Sequence, residues 1–366
     1  MPIDCSYYLV ADMKTFGVCA AQSVIAVFFL VSLCGTGRVT AQTATTDPVG
    51  FIKFSPSPST NGSTRKFTAA SFPLQGAAKW TGLAAAEPGA ATLTGSGAAW
   101  PNYGAGAGGF VTHVVRFKTG ASTGRIFPIA SNNATTLTLS LPTAVTNLGI
   151  SVNQNDSFEI IPVNTLSSLF GSTAGTVKFN QNAVQNSADI VYLWNGSTWL
   201  AHWFDGNQWI NQYDEFTDAG GTPIFSDEAA WIARRSTGTI DYYILGTVPV
   251  AASLALEIEG STNSSRKFTF LSNPFPSDIT LQAFNFTSLT NWQSNPVSNS
   301  ADIAYIWNGS TWVSYWYDGT QWINQYDEFS DSGSTVIPSG SGIWVARRSS
   351  GSGELTFTNL TRPYSL

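Results

Sequence analysis

Short runs of aromatic and β-branched residues, many alternating with polar ones, fill most of the chain, and Asn-Gly or Asp-Gly steps separate them. A period of two belongs to strands, and these dipeptides are strong hairpin signals because the central positions of a type I′ turn need positive φ. The pattern predicts a three-stranded meander over residues 189–194, 199–204 and 208–213. With two-residue turns, Ile190, Tyr192, Trp194, Trp199, Ala201, Trp203 and Ile210 share one face. Leu193, Leu200, His202, Phe204, Trp209 and Tyr213 share the other. Both faces are apolar enough to be covered, which favours a sandwich or barrel over an open sheet.

The meander occurs twice. Residues 188–235 align without a gap on residues 301–348, with 31 identities over 48 positions. The shared frame runs from Trp194-Asn195-Gly196-Ser197-Thr198-Trp199 and Trp307-Asn308-Gly309-Ser310-Thr311-Trp312, through Trp203 and Trp316, to Trp231-Ile232-Ala233-Arg234-Arg235 and Trp344-Val345-Ala346-Arg347-Arg348. A fainter echo precedes each block, Arg65-Lys66-Phe67-Thr68 matching Arg266-Lys267-Phe268-Thr269. In the second copy the chain then goes directly into Ile279-Thr280-Leu281, whereas the matching Asn164-Thr165-Leu166 of the first comes much later. The organisation expected is a first β unit at 42–74 and 164–248, an inserted β module at 75–163, and a second β unit at 249–366. Loop tips tolerate such insertions because closure entropy grows slowly with length. Within the insertion, strands are expected near 111–118, 125–130, 135–141 and 157–161. The fold class is therefore all-β, with duplicated antiparallel sandwich or barrel-like units and an inserted small β module.

The first 41 residues read as an address. An apolar run from Val24 to Leu33 follows Lys14 and leads to Val39-Thr40-Ala41, a small-x-small pattern that a signal peptidase would cut before Gln42. Met13-Lys14 suits a signal-peptide start better than the acidic stretch before it. Cys5, Cys19 and Cys34 all lie in this leader, so the mature chain would have no disulfide, thiolate metal site or cysteine nucleophile. Lipidation at Cys34 is disfavoured by its neighbour Leu33. No later run reaches the roughly 20 apolar residues that a spanning helix needs. The expected location is secreted, extracellular or at the cell surface of a bacterial envelope. Lys+Arg 17 against Asp+Glu 23 gives a formal charge of −6, so binding through phosphate neutralisation is not expected and nucleic acid is excluded as a partner.

Candidate chemistry is thin. Of the two histidines, His113 lies in the insertion and His202 becomes Tyr315 in the second copy, so no mechanism common to both copies can use imidazole. Carboxylates recur at Asp214-Glu215 and Asp327-Glu328, but neighbours on a strand point to opposite faces. Ion pairs or hydrogen-bonded plugs with Arg234-Arg235 and Arg347-Arg348 are the expected role of these acids. A weaker alternative is an oxygen-rich calcium site from Asp214, Glu215 and Asp218, copied at Asp327, Glu328 and Asp331. Gly104-Ala105-Gly106-Ala107-Gly108-Gly109 fits a nucleotide-binding glycine pattern only formally, because a strand-like run follows it. Ten of the 13 Trp lie in the paired blocks. Trp194, Trp199, Trp203, Trp307, Trp312 and Trp316 are the candidate binding residues, either packing in the core or stacking on sugar rings.

The expected function is that of a secreted, non-catalytic structural or adhesive protein. The alternative is a carbohydrate-binding protein that uses the repeated Trp and acidic residues. No enzyme activity and no cofactor is expected; a polysaccharide or other cell-surface component, or self-association, is the expected form of partnership.

Thr45-Thr46-Asp47-Pro48-Val49-Gly50-Phe51, the Gly124-Arg125 segment, Glu159-Ile160-Ile161-Pro162 and the Trp-Asn-Gly blocks together carry a resemblance. Through them the mature chain resembles a paralogous family of uncharacterised secreted β-rich proteins known mainly from Verrucomicrobia. This resemblance implies export and a β fold, and no catalytic residues. The inserted segment Thr119-Gly120-Ala121-Ser122-Thr123-Gly124-Arg125, with its following Thr/Leu strand, also resembles small β modules of phage tail fibres.

Overall fold

The computed structural model describes residues 48–86, 91–140, 155–261, 265–289, 291–348 and 356–365. The expected leader, with Cys5, Cys19 and Cys34, lies outside them. Two five-stranded antiparallel sheets share one strand order. The first runs Trp209–Asn211, Trp199–Phe204, Ile190–Trp194, Ala229–Arg234, Lys66–Ser71; the second runs Trp322–Asn324, Trp312–Tyr317, Ile303–Trp307, Gly342–Arg347, Lys267–Ser272. Each sheet is accompanied by a two-stranded ribbon: Val49–Phe54 with Tyr242–Thr247 in the first copy, and Ser253–Ile258 with Thr356–Thr361 in the second. Between the two parts of the first copy, six strands from Trp80–Ala86 to Ser157–Pro162 close into a barrel.

The hairpin turns differ from the two-residue type. Trp194 pairs with Trp199 and Phe204 with Trp209, so each connection has four residues. Asn195 Oδ1 accepts the amides of Ser197 and Thr198 at 3.0 and 2.8 Å, and Asp205 Oδ1 accepts those of Asn207 and Gln208 at 2.6 and 2.8 Å. The Asx side chain thus builds the turn and leaves only the following glycine at positive φ. Lengthening a turn by two residues preserves parity, so the expected face sharing survives. Ile190, Ala201, Trp203 and Ile210 pack together on one face, whereas Val191, Phe204 and Trp209 join a larger core on the other. Tyr213 is the exception: its strand ends at Asn211, and the ring is exposed.

The repeated arginines close the sheet ends with other partners than the expected ones. Arg234 faces Asp189 and Arg347 faces Asp302, each at 3.4 Å and fully buried, rather than the Asp-Glu pairs. Asp189 also accepts the amides of Asn180 at 2.9 Å and Ser236 at 3.1 Å, so the buried charge is held by several donors. Arg65 and Arg266 satisfy carbonyls in parallel: Ala188 and Gln185 for the first (2.7 and 3.0 Å), Ala301 and Ser298 for the second (2.8 and 3.0 Å).

The barrel interior is filled by Trp100, Phe117, Phe127, Phe158 and aliphatic neighbours. Its strands His113–Phe117, Ile126–Asn132, Thr136–Leu139 and Ser157–Pro162 fall where strands were expected, and Trp80–Ala86 and Thr92–Gly95 complete it. The glycine run near Gly104 includes a single 3-10 turn at Ala107–Gly109.

Candidate functional site

The repeated tryptophans do two jobs. Trp203 and Trp316 are core residues, each 2% exposed. Trp194, Trp199, Trp307 and Trp312 instead form a joint between the copies. Trp344 of the second copy stacks on Trp199 (centroids 5.1 Å, 17°) and meets Trp194 edge-on; Trp231 of the first stacks on Trp312 (4.9 Å, 26°) and meets Trp307 edge-on. These reciprocal contacts are those of a local twofold. On that axis symmetry must break, since two large rings cannot share one place: Phe270 touches Trp199, Trp312 and Trp344, and its counterpart in the other copy is Ala69. Backbones also approach there, a Cβ on Gly342 falling 2.4 Å from that of Ala229. A cleft of about 280 Å³ remains between the half-buried rings of Trp199, Trp231, Trp312 and Trp344.

The repeated acids are turn builders. Asp214 Oδ1 accepts the Phe216 and Thr217 amides at 3.1 Å, and Asp327 Oδ1 those of Phe329 and Ser330 at 2.9 and 3.1 Å. The Thr217 hydroxyl followed by these amides holds the Asp214 carboxyl below the usual range, and the Phe329 amide followed by the Ser330 hydroxyl does the same for Asp327. Asp218 and Asp331 cap the glycine amides at Gly220 and Gly333, both at 2.9 Å. Glu215 and Glu328 join none of these bonds. The residues of the weaker calcium alternative therefore do not converge, and among the described residues no three His, Cys, Asp or Glu side chains stand close enough to hold a metal. What the loops do present is aromatic: Phe216 and Phe329 are 95% and 93% exposed, with Tyr213 and Tyr326 beside them.

A larger cleft of about 440 Å³ lies where the barrel and both copies meet. The barrel supplies Ile126 to Pro128, the first copy Trp194 and the Asp227-Glu228 turn, and the second copy Glu257, Glu259 and Phe268 to Leu271. Burial pushes the Glu257 carboxyl up to about 7, with repulsion from Asp227 and Glu259 adding to it and Arg125 opposing it. Asp227 is raised by burial, and its Oδ1 is enclosed without a hydrogen-bond partner among the described residues. Glu228 lines the same cleft as an exposed residue, while burial of its carboxyl, followed by repulsion from Asp227 and Glu257, raises it as well. Glu259 is paired with Lys267 at 3.0 Å. Near neutral pH the cleft thus holds carboxyls able to donate as well as accept hydrogen bonds, next to the apolar faces of Trp194 and Phe268.

This cleft escapes a reading centred on the repeat, because Asp227 and Glu228 occupy the positions of Gly340 and Ser341 in the second copy. Departures from the repeat, rather than matches, are the signal that finds it. The histidines stay outside: His202 is fully buried and desolvation lowers its pKa to about 4, and His113 sits beside Tyr103 in the barrel. Comparison of the chain with protein-family models, curated proteins and solved structures finds no match.

Proposed function

We propose that the protein acts by surface contact, without turnover, as a secreted structural or adhesive component of a bacterial cell surface. The observation that carries this reading is the duplicated Tyr-Asp-Glu-Phe loop. Its two rings face solvent at 70% or more in both copies, while Asp214 and Asp327 hold the loop shape. Exposed large rings on rigid loops are preformed contact points that lose little entropy on binding. The leader supports export, and the absence of shared imidazole chemistry supports contact over catalysis. Joint replacement by Phe216→Ser and Phe329→Ser should lower binding to envelope fractions at least tenfold and leave the melting curve unchanged. Unchanged binding would overturn the reading, as would hydrolysis of a glycoside or ester that disappears in Glu257→Gln.

A carbohydrate ligand is the second reading, and the acidic cleft favours it. Protonatable carboxyls beside Trp194 and Phe268 suit hydroxyl groups and the apolar face of a sugar ring. A glycan array read together with tryptophan quenching tests this, Glu257→Gln being expected to weaken the hits. No quenching by any array hit would remove it.

A further inference from the structure

The two ribbons offer opposite surfaces to their surroundings. Their equivalence is fixed by matching bonds: Ser57 N to Thr68 Oγ1 (2.9 Å) corresponds to Glu259 N to Thr269 Oγ1 (3.1 Å), and Ser59 Oγ to Thr64 O (2.6 Å) to Ser261 Oγ to Ser265 O (2.5 Å). On this alignment Val49 and Phe51 correspond to Ala251 and Ser253, and across the ribbon Tyr243 and Leu245 correspond to Asn359 and Thr361. The second copy thus carries small or polar residues where the first carries four large apolar ones. All four are exposed, Phe51 at 68% and Leu245 at 72%.

The strand edges differ in the same way. Val248 N bonds Pro48 O at 2.8 Å, and this phase directs the backbone groups of Val49, Phe51 and Lys53 away from the ribbon. In the second copy the amide equivalent to that of Lys53 belongs to Ala255, and it donates to Gly124 O of the barrel at 3.0 Å. That glycine, at φ +80, lies so close to the strand that a Cβ would stand 2.8 Å from the Ala255 nitrogen. The outward groups of Val49, Phe51 and Lys53 have no such partner among the described residues. Lys53, the edge charge that would ordinarily repel a neighbouring strand, is neutralised by Asp241 at 3.0 Å.

We propose that the edge Val49–Phe54 pairs antiparallel with the same strand of a second copy of this chain, joining two ribbons into a four-stranded sheet. An antiparallel strand is its own complement across a twofold, and pairing centred on Phe51 sets Val49 opposite the twin's Lys53. The four apolar side chains of each ribbon then merge into one strip. The equivalent edge of the second copy bonds the barrel instead, and an isologous pairing uses up the edge of the first, so this contact closes at the dimer. Pairing covers the outward amides and carbonyls of this strand and the flanks of Val49 and Phe51, a small contact at the weak end of specific interfaces. The inference stands apart from what the Tyr-Asp-Glu-Phe loops bind.

Sedimentation equilibrium of the processed protein from about 1 to about 200 μM should show a monomer–dimer transition, and dimerisation should slow amide exchange at Phe51 and Lys53. Phe51→Pro takes away the ring and an amide that points outward, with no bond inside the ribbon lost, so it should leave the ribbon folded and abolish the dimer. Val49→Lys, which adds a charge and keeps the backbone intact, should weaken the dimer at least tenfold with an unchanged circular dichroism melt. A protein that stays monomeric at about 200 μM overturns the proposal. So does a dimer indifferent to both substitutions.

Discussion

Where the first copy carries Asp227, Glu228, Val49, Phe51, Tyr243 and Leu245, the second carries Gly340, Ser341, Ala251, Ser253, Asn359 and Thr361. In the residues that build the sheets the copies are nearly interchangeable: the same tryptophans, the same Arg–Asp plugs, the same Asx turns. The difference lies in what each copy faces. The barrel lies against the second ribbon, with the first copy's Asp-Glu turn and the second copy's Glu257 both opening into the cleft it helps to enclose. Shared residues thus report the demands of folding, and divergent ones report surroundings. Function is therefore to be sought in the divergent positions and in the exposed parts of the shared loops.

The strongest test of interchangeability is removal of the core rings. Trp203→Ala and Trp316→Ala should each destabilise by about 3–5 kcal/mol in urea unfolding, with values alike in the two copies, because each ring is equally buried. A large difference would show that the barrel supports one copy and not the other. At the joint the expectation is asymmetric. Gly342→Ala should cost about 1–3 kcal/mol by forcing a methyl group against Ala229, whereas Ala229→Gly should cost about 1 kcal/mol or less.

The smallest effect is a dependence on pH. A glutamate that titrates near 7 in the folded cleft and near 4.5 when unfolded binds its proton more tightly in the folded state. Its contribution to stability is complete below about pH 4.5 and is lost as pH rises through 7. The melting temperature of the Glu257→Gln variant should therefore fall less between pH 5 and pH 8 than that of the parent, a difference of a few degrees by differential scanning fluorimetry. Equal slopes would show that Glu257 is well solvated.

Much of this was legible in the sequence where local chemistry decides. Asn195 and Asp205 mark their turns, although as four-residue Asx turns rather than the two-residue type expected, and because parity is kept, alternation still assigns the faces of Ile190 to Trp203. Trp80–Ala86 was not legible: its Thr-Gly-Leu-Ala-Ala-Ala run has little β propensity, and it is a strand because the barrel pairs it on both sides. The partner of Arg234 was misassigned for a related reason. Asp189 and Asp214 are equally repeated, and only the sheet register brings the former beside the guanidinium. The acidic cleft combines residues from three separated segments, none distinctive alone.

The position of the barrel also bears on how the protein is made. Its first and last strands pair with each other, Trp80 opposite Ile160, and Lys79 N bonds Ile160 O at 2.8 Å, so the chain leaves the barrel beside the point where it entered. In the first copy Ser71 must find Ala229, whereas in the second Ser272 needs only Gly342, a closure over roughly half as much chain. All six barrel strands precede Ala229–Arg234 in order of synthesis. Once closed, the barrel shortens the first copy's longer search to a distance like that of its twin, and the insertion becomes an aid to folding order rather than a burden on it.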